Sequence, residues 1–201
     1  MNDFEFKKYL SSYLAAEKVN DLFESIRNFP QNINKIYTQE TRNYYLQGDC
    51  VGNIPICRLN IYNNELITNI SYNKVIILNN SCDMSESREG GIKTDYFYTP
   101  LLSMKKYKEK LKTLGNTDNQ INNKVKDIKS QTLSNIMYFP PFQNEEEDYL
   151  VFFDKIFSCQ YNVFQHLCSG RIFSLSNYGF YSLIFKMSVH FLRIREKEDR
   201  G

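Results

Sequence analysis

Three consecutive residues of the sequence could carry chemistry. Ser81, Cys82 and Asp83 bring a hydroxyl, a thiol and a carboxyl group shortly after the apolar run at residues 75–78, from which Asn79 and Asn80 separate them. At a strand end these side chains would leave a rigid sheet toward solvent, where a thiol could act as a nucleophile or redox group. A thiolate needs a neighbouring base or cation, and the carboxylate of Asp83 instead disfavours its deprotonation. The alternative is a polar turn, in which Cys82 is a small buried residue and Asp83 caps the backbone.

Cysteine and histidine residues could form a zinc site: Cys159, His166 and Cys168, with Cys50 or Cys57 as a further ligand. Structural zinc sites usually show closely spaced pairs of cysteines, which this sequence lacks. The five cysteines are odd in number and irregularly spaced, and the opening MNDFEFKK is not a secretory signal. We therefore expect free thiols, no metal and no cofactor, in a cytoplasmic protein.

Lysine is concentrated in one segment. Residues 103–137 contain eight lysines and three acidic residues, although the whole chain has a net charge of only +2. Lysines interleaved with Tyr107 could contact the phosphates and a base of a nucleic acid. The alternative is a solvated helix face. The predicted nucleic-acid-binding residues are Lys105, Lys106, Lys108, Lys112, Lys124, Lys126 and Lys129.

Helical elements are predicted at both ends of the chain. Apolar residues at helical spacing predict a long helix from Phe6 to Ile26, which Pro30 ends, and a shorter helix over residues 32–44. The apolar face of the long helix packs on the rest of the protein or contacts a partner. Residues 176–195 predict a terminal amphipathic helix with capping residues at its start. Its polar face is predicted to carry Lys186, His190, Arg193 and Lys197.

The sequence predicts short strands in the middle of the chain. Segments rich in Ile, Val, Tyr and Phe are separated by Gly and Asn: YYLQGDC, IPICRLNIY, ELITNISY, KVIILNNS and TDYFYTPLL. Links this short require antiparallel pairing, because a parallel crossover takes about a dozen residues. A lysine-rich helical hairpin then precedes three further strand-like segments, IMYFPPF, YLVFFDKIFSCQ and RIFSLS.

These patterns predict an α+β fold. We expect a small antiparallel β-barrel with a helical insertion and flanking N- and C-terminal helices, all within a single domain, 1–201. The predicted parts are N-terminal helices 1–44, barrel 45–102 and 136–175, basic helical hairpin 103–135, and C-terminal helix 176–197.

Part of the predicted barrel resembles a known family. The order QGDCVGNIPIC, KVIILNNSCD and YFYTPLLSM, over residues 45–103, is similar to the MazF/PemK-like group of SH3-like β-barrels. That group opens with a GD strand, continues with a VVVLS-like central strand, and then has a strand ending in aPlT. Gly48-Asp49, residues 75–79 and residues 99–103 are the matching places. The resemblance implies that the predicted barrel is SH3-like.

The resemblance also implies an activity. Members of the group are typically metal-independent endoribonucleases, in which an arginine before the central strand acts with a Ser or Thr after the aP strand. Ser103 matches the second position, whereas Asn73 and Lys74 stand where the arginine is expected. A lysine cannot reproduce the bidentate phosphate geometry of a guanidinium group. The candidate catalytic residues are Ser103, Lys74, Cys82 and Asp83.

Two functional hypotheses follow. The first is a non-catalytic module that binds nucleic acid or protein in a bacterial stress, toxin–antitoxin or phage-defence system. The alternative is a metal-independent endoribonuclease that resembles MazF/PemK toxins. Expected partners are RNA or DNA, a protein encoded nearby, and a second copy in a homodimer. No membrane partner is expected, because no run approaches the roughly 18 apolar residues of a membrane span.

Overall fold

The computed structural model describes residues 16–40, 42–81, 84, 95–143 and 145–192. Within these ranges the fold is α+β, as the sequence predicts. The helices are α1 (Ala16–Arg27), α2 (Met104–Thr113), α3 (Asp118–Lys129), α4 (Tyr161–Leu167) and α5 (Asn177–Leu192). The strands are β1 (Tyr37–Thr38), β2 (Cys50–Tyr62), β3 (Glu65–Ile77), β4 (Tyr96–Pro100), β5 (Leu102–Ser103), β6 (Ile136–Phe139), β7 (Tyr149–Phe152), β8 (Phe157–Cys159) and β9 (Arg171–Leu175).

The described strands form two sheets. The larger has the order β1-β9-β2-β3-β4-β8 and the smaller the order β5-β7-β6, and neighbouring strands are antiparallel. One strand path belongs to both sheets, because β4 continues through Leu101 into β5. The Leu101 N–H donates to the carbonyl of Lys74 at 2.9 Å, and Thr99 Oγ1 donates to the carbonyl of Phe152 at 3.1 Å. Within the described residues the two sheets are not closed into a barrel.

The hydrophobic core has three parts. The largest joins the two sheets to α5, whose Leu183 is fully buried. The second lies on the opposite face of the larger sheet, where Phe164 of α4 stacks on Tyr96 with ring centroids 3.8 Å apart. The third lies where α2 and α3 pack on the smaller sheet, and it includes Ile128 and Leu150. Helix α1 packs against α5, so helices cover the sheets from several sides.

The predicted helical hairpin is confirmed. Ser103 is the N-cap of α2, and its Oγ accepts from the N–H of Lys106 at 3.2 Å. Thr117 and Gln120 form a reciprocal capping box at the start of α3. Gly115, in the connection between the helices, has a φ of +81°, which favours glycine.

Two predicted elements are wrong. The described residues of 32–44, which exclude 41, do not form a helix. Ile33–Lys35 form a single 3-10 turn, and the chain then extends into β1 to pair with β9. The single strand predicted over YLVFFDKIFSCQ is instead divided between β7 of the smaller sheet and β8 of the larger sheet. Helix α4 follows β8 and was not predicted, because its seven residues are too few for periodicity to show.

The terminal helix is confirmed over α5, but its polar face is not as predicted. Lys186 is buried, because this flank of α5 packs against the turn that follows α3. Arg193 and Lys197 lie outside the described residues, as do residues 1–15 of the predicted long N-terminal helix. Among the described helices, none has the length and apolar character needed to cross a membrane.

Candidate functional site

The polar residues after β3 hold the strand end in place. Asn79 is buried, and its Oδ1 accepts from the N–H of Phe97 at 2.5 Å while its Nδ2 donates to the carbonyl of Asp95 at 2.9 Å. Ser81 Oγ accepts from the N–H of Gln47 at 2.9 Å. These side chains therefore replace backbone pairing between β3 and its neighbours. Candidate residues Cys82 and Asp83 lie outside the described residues.

The Gly48-Asp49 motif anchors a loop. Gly48 has a φ of +91°, and its N–H donates to the carbonyl of Ile77 at 2.8 Å. Asp49 Oδ2 accepts from the N–H of Leu46 at 2.9 Å and from Arg171 Nε at 2.8 Å. A buried carboxylate requires such partners, because burial removes its hydration.

Arg171 connects Asp49 to the loop at residues 42–46. Its guanidinium donates to the carbonyl of Arg42 at 2.6 Å and to the carbonyl of Tyr44, and it lies over the ring of Tyr45, 5.4 Å from the centroid. The spacing of Arg171 in the sequence does not predict this contact. The only indication in the sequence is that an aspartate inside an apolar segment needs a cation from elsewhere in the chain.

Lys74 lies in a three-residue polar cluster. Its Nζ is 3.1 Å from Glu145 Oε1 and 3.2 Å from the hydroxyl of Tyr149, which donates to Glu145 Oε2 at 2.8 Å. The ammonium also lies 5.1 Å from the centroid of the Tyr149 ring. The sequence predicted a positive charge at Lys74 but neither of its partners.

The cluster keeps both charged groups ionised. Burial alone would lower the pKa of Lys74, but hydrogen bonds to Tyr149 and Glu145 outweigh burial and raise it. Burial alone would raise the pKa of Glu145, but hydrogen bonds from Tyr149 and Lys74 lower it. Lys74 is therefore a cation at neutral pH. It can stabilise an anion, but it cannot accept a proton as a general base.

Ser103 lies beside the same cluster. It is the strand partner of Tyr149 in the β5–β7 pair, and Lys74 contacts the hydroxyl of the same tyrosine, so the structure brings Ser103 and Lys74 next to one residue. Each is engaged in a structural role, Ser103 as a helix cap and Lys74 as the partner of Glu145. A hydroxyl that caps a helix is held by the backbone N–H that it accepts from.

The described cysteines are free thiols: Cys50, Cys57, Cys159 and Cys168. Burial raises the pKa of Cys50 and of Cys159, which keeps both as neutral thiols. Cys168 Sγ lies 3.2 Å from the hydroxyl of Tyr45, and burial, followed by this contact, raises the pKa of Tyr45 to about 12. No group of three or more His, Cys, Asp and Glu residues in the described ranges could hold a metal ion.

The lysine-rich hairpin faces an acidic segment, residues 145–148. Lys129 Nζ lies 2.6 Å from Asp148, and the N–H of Lys105 donates to Glu147 Oε1 at 3.2 Å. A surface cavity of about 420 Å³ separates the two segments, and its lining includes Lys108 and Lys112. The acidic segment therefore opposes the positive field of this part of the hairpin.

The other predicted lysines lie on exposed helix surfaces. Lys112 also pairs with Asp118 at 3.2 Å, and Lys124 donates to Asn116 Oδ1 at 3.0 Å. Lys106 and Lys126 are exposed. These positions remain predictions for a nucleic-acid interface.

A two-stranded extension of the larger sheet projects from the rest of the protein. We call it the β2–β3 ribbon: residues 57–62 of β2 and residues 65–72 of β3, with every residue exposed. Directly opposite residues of an antiparallel pair share a face. One face of the ribbon is therefore formed by three such pairs and one further residue: Cys57–Ile70, Leu59–Thr68, Ile61–Leu66 and Tyr72.

The ribbon is amphipathic. The face just described carries no charged residue, whereas the other face combines charged and polar residues with two apolar ones: Arg58, Asn60, Tyr62, Glu65, Ile67, Asn69 and Ser71. The sequence pattern predicted antiparallel strands in this part of the chain. It could not show that the described chain leaves the apolar face in solvent.

No protein-family model, curated protein or solved structure matches this chain. The resemblance of residues 45–103 to the MazF/PemK-like group therefore remains a prediction.

Proposed function

We propose that this protein is a non-catalytic protein-binding module whose contact surface is the apolar face of the β2–β3 ribbon. The observation that carries the proposal is the exposure of this face: Leu59, Ile61, Leu66, Ile70 and Tyr72 are each more than half exposed. Contiguous apolar surface of this kind marks interaction sites in monomeric proteins. An antiparallel strand pair with clean alternation is built to have one face covered.

The other candidate sites support this choice. Ser103 caps a helix and Lys74 is paired with Glu145, so each of these side chains already has a structural contact in this fold. The acidic segment opposes part of the basic hairpin, which weakens the attraction of that surface for phosphates. We place the module in a bacterial stress, toxin–antitoxin or phage-defence system on the strength of the resemblance alone.

The proposal includes an SH3-like architecture. Support comes from the strand path through Leu101, since a strand that bends from one sheet into another is a common way to make the corner of a small β-structure. A crystal structure in which the two sheets form one closed barrel would establish this part of the proposal. A crystal structure in which the two sheets do not form a closed barrel would contradict it.

The binding function is tested by site-specific photo-crosslinking in the native host. A photoreactive amino acid is placed at Ile61, on the apolar face, and separately at Ile67, on the opposite face of the same ribbon. We expect protein adducts mainly from position 61. Equal adducts from both positions, or adducts from neither, would contradict the proposal.

Two further assays separate the alternatives. Cleavage of single-stranded RNA by purified protein in the presence of EDTA, abolished by Ser103→Ala or Lys74→Ala, would replace this proposal with the ribonuclease hypothesis. Binding of labelled RNA or DNA with a steep salt dependence, about one logarithmic unit of slope for each phosphate contact, would indicate a nucleic-acid partner. We expect no cleavage and weak nucleic-acid binding.

A further inference from the structure

The β2–β3 ribbon lacks neighbours over most of its length. Strand β2 pairs with β9 at Cys50 and Val51, and β3 pairs with β4 at residues 75–77. Beyond these positions the described ribbon has two strands alone, and its apolar face and both outer edges are exposed. A two-stranded hairpin is marginally stable at best in water. Covering its apolar face would therefore stabilise the ribbon.

The turn of the ribbon fixes a single register. Asn63 and Asn64 have φ values of 49° and 63° and close a two-residue loop, the geometry of a type I′ turn. Such a turn matches the twist of the flanking strands and sets which residues lie opposite one another. The turn thus determines which side chains are neighbours on the apolar face.

We infer that the apolar face of the β2–β3 ribbon docks against the same face of a second copy of this chain. The inference rests on the proposed protein-binding function and names its partner. An isologous interface requires one patch that is complementary to itself. A face without charged residues meets this condition, because it contacts its own copy with no like-charge repulsion and no unpaired buried charge.

The area of the face also fits a dimer. Five large apolar side chains are each more than half exposed. Covering them on two copies removes on the order of 1,200 Å² from water, the lower end of the range for specific interfaces. Neighbouring residues of the ribbon would add to this area.

The two ribbons would lie antiparallel. A two-fold axis that crosses the strands at the Leu59–Thr68 pair places Ile61 and Leu66, near the tip of one copy, on Cys57 and Ile70 of the other. At the axis itself, Leu59 would meet Leu59 and Thr68 would meet Thr68 of the other copy, with the apolar contacts on either side. It also leaves the rest of each copy at opposite ends of the interface.

Sedimentation velocity provides the test, with two matched variants. Wild type is expected to sediment at about twice the mass of the 23.9 kDa chain. Ile61→Glu buries a charge in the interface and should raise the dissociation constant at least roughly 100-fold. Ile67→Glu introduces the same charge on the opposite face and should leave the dimer intact. The two isoleucines are 77% and 38% exposed, so both variants are expected to fold.

A crosslink tests the geometry. In a Cys57→Ser background, Thr68→Cys places one thiol next to the two-fold axis, and mild oxidation should give a disulfide-linked dimer. The same background with Asn69→Cys, on the other face, should not crosslink.

Three results would overturn the inference. The first is a monomeric wild type at about 100 µM, well above the micromolar affinity of many specific interfaces. The second is a dimer that Ile61→Glu leaves unchanged. The third is a monomer in which residue 61 crosslinks to residues 1–15 of its own chain. A monomer that crosslinks to a different protein through residue 61 overturns self-association and leaves the binding function standing.

Discussion

Asp49 and Arg171 form an ion pair across the larger sheet, with Arg171 Nε 2.8 Å from Asp49 Oδ2. Their side chains are 1% and 14% exposed. The pair links the start of β2 to the start of β9, and through the remaining guanidinium contacts it also holds the loop at residues 42–46. A position matched to a family motif thus has a clear structural role in this chain.

Asp49→Ala should be strongly destabilising. It leaves Arg171 largely buried without its carboxylate, and breaking a buried pair in this way typically costs about 3 kcal/mol or more. Urea denaturation followed by circular dichroism measures the change in the free energy of unfolding. Asp118→Ala is the matched control, because Asp118 pairs with Lys112 at the surface and its side chain is 80% exposed. The control should lose less than about 1 kcal/mol. Equal losses in the two variants would contradict this account.

Asn79→Ala should weaken the junction of β3 and β4. The substitution leaves the N–H of Phe97 and the carbonyl of Asp95 without the side-chain partner that each has now. An unsatisfied buried polar group costs about 1–3 kcal/mol. Hydrogen exchange of the Phe97 amide, measured by NMR, should accelerate along with the loss of stability. Asn122→Ala, at an exposed position of α3, should change neither quantity appreciably; unchanged Phe97 protection in Asn79→Ala would refute the prediction.

Local sequence patterns predicted the elements that local forces form. The lysine-rich helices have apolar stripes and capping residues such as Ser103 and Thr117, which act within a few residues of the chain. The asparagines and glycines between the strand-like segments likewise indicated short turns and antiparallel strands. Short-range patterns of this kind predict structure well, because the contacts that they describe lie within one element or between adjacent strands.

The candidate site could not be predicted in the same way, because its contacts join distant parts of the chain. Lys74 meets Glu145 across 71 residues, and Asp49 meets Arg171 across 122. In the acidic segment, Glu145 and Asp148 each bind a lysine from another element. Periodicity likewise identifies which face of a strand is apolar. It does not identify what covers that face, so the exposed ribbon became apparent only in three dimensions.

Glu145→Gln should lower the pKa of Lys74. Hydrogen bonds to Tyr149 and Glu145 now raise that pKa against the opposing effect of burial, and the substitution removes the negative charge while burial remains. NMR titration of the lysine side chains in wild type and variant measures the change. Glu146→Gln, at the exposed neighbouring position, should leave the Lys74 titration unchanged. A Lys74 pKa that is the same in Glu145→Gln as in wild type would show that the ion pair does not control it.

Lys186 should make stability depend on pH. Its ammonium is buried, and Nζ donates to the carbonyls of Gln131 at 2.9 Å and Leu133 at 2.5 Å. Burial lowers its pKa from 10.5 to about 8. Between these two values the unfolded chain holds a proton that the folded chain has released, so the free energy of unfolding rises with pH. The cost of burying the charge is present in full below about pH 8.

The comparison of wild type with Lys186→Met isolates this effect from other titrating groups. In the window from about pH 8 to 10.5, the stability of wild type relative to Lys186→Met should increase by about 1.4 kcal/mol for each pH unit. Urea denaturation at several pH values measures the difference. Lys110→Met, at an exposed position of α2, serves as the control, and its difference from wild type should stay constant. Constant differences for both variants would mean that Lys186 keeps its proton throughout the window, contrary to a pKa lowered by burial.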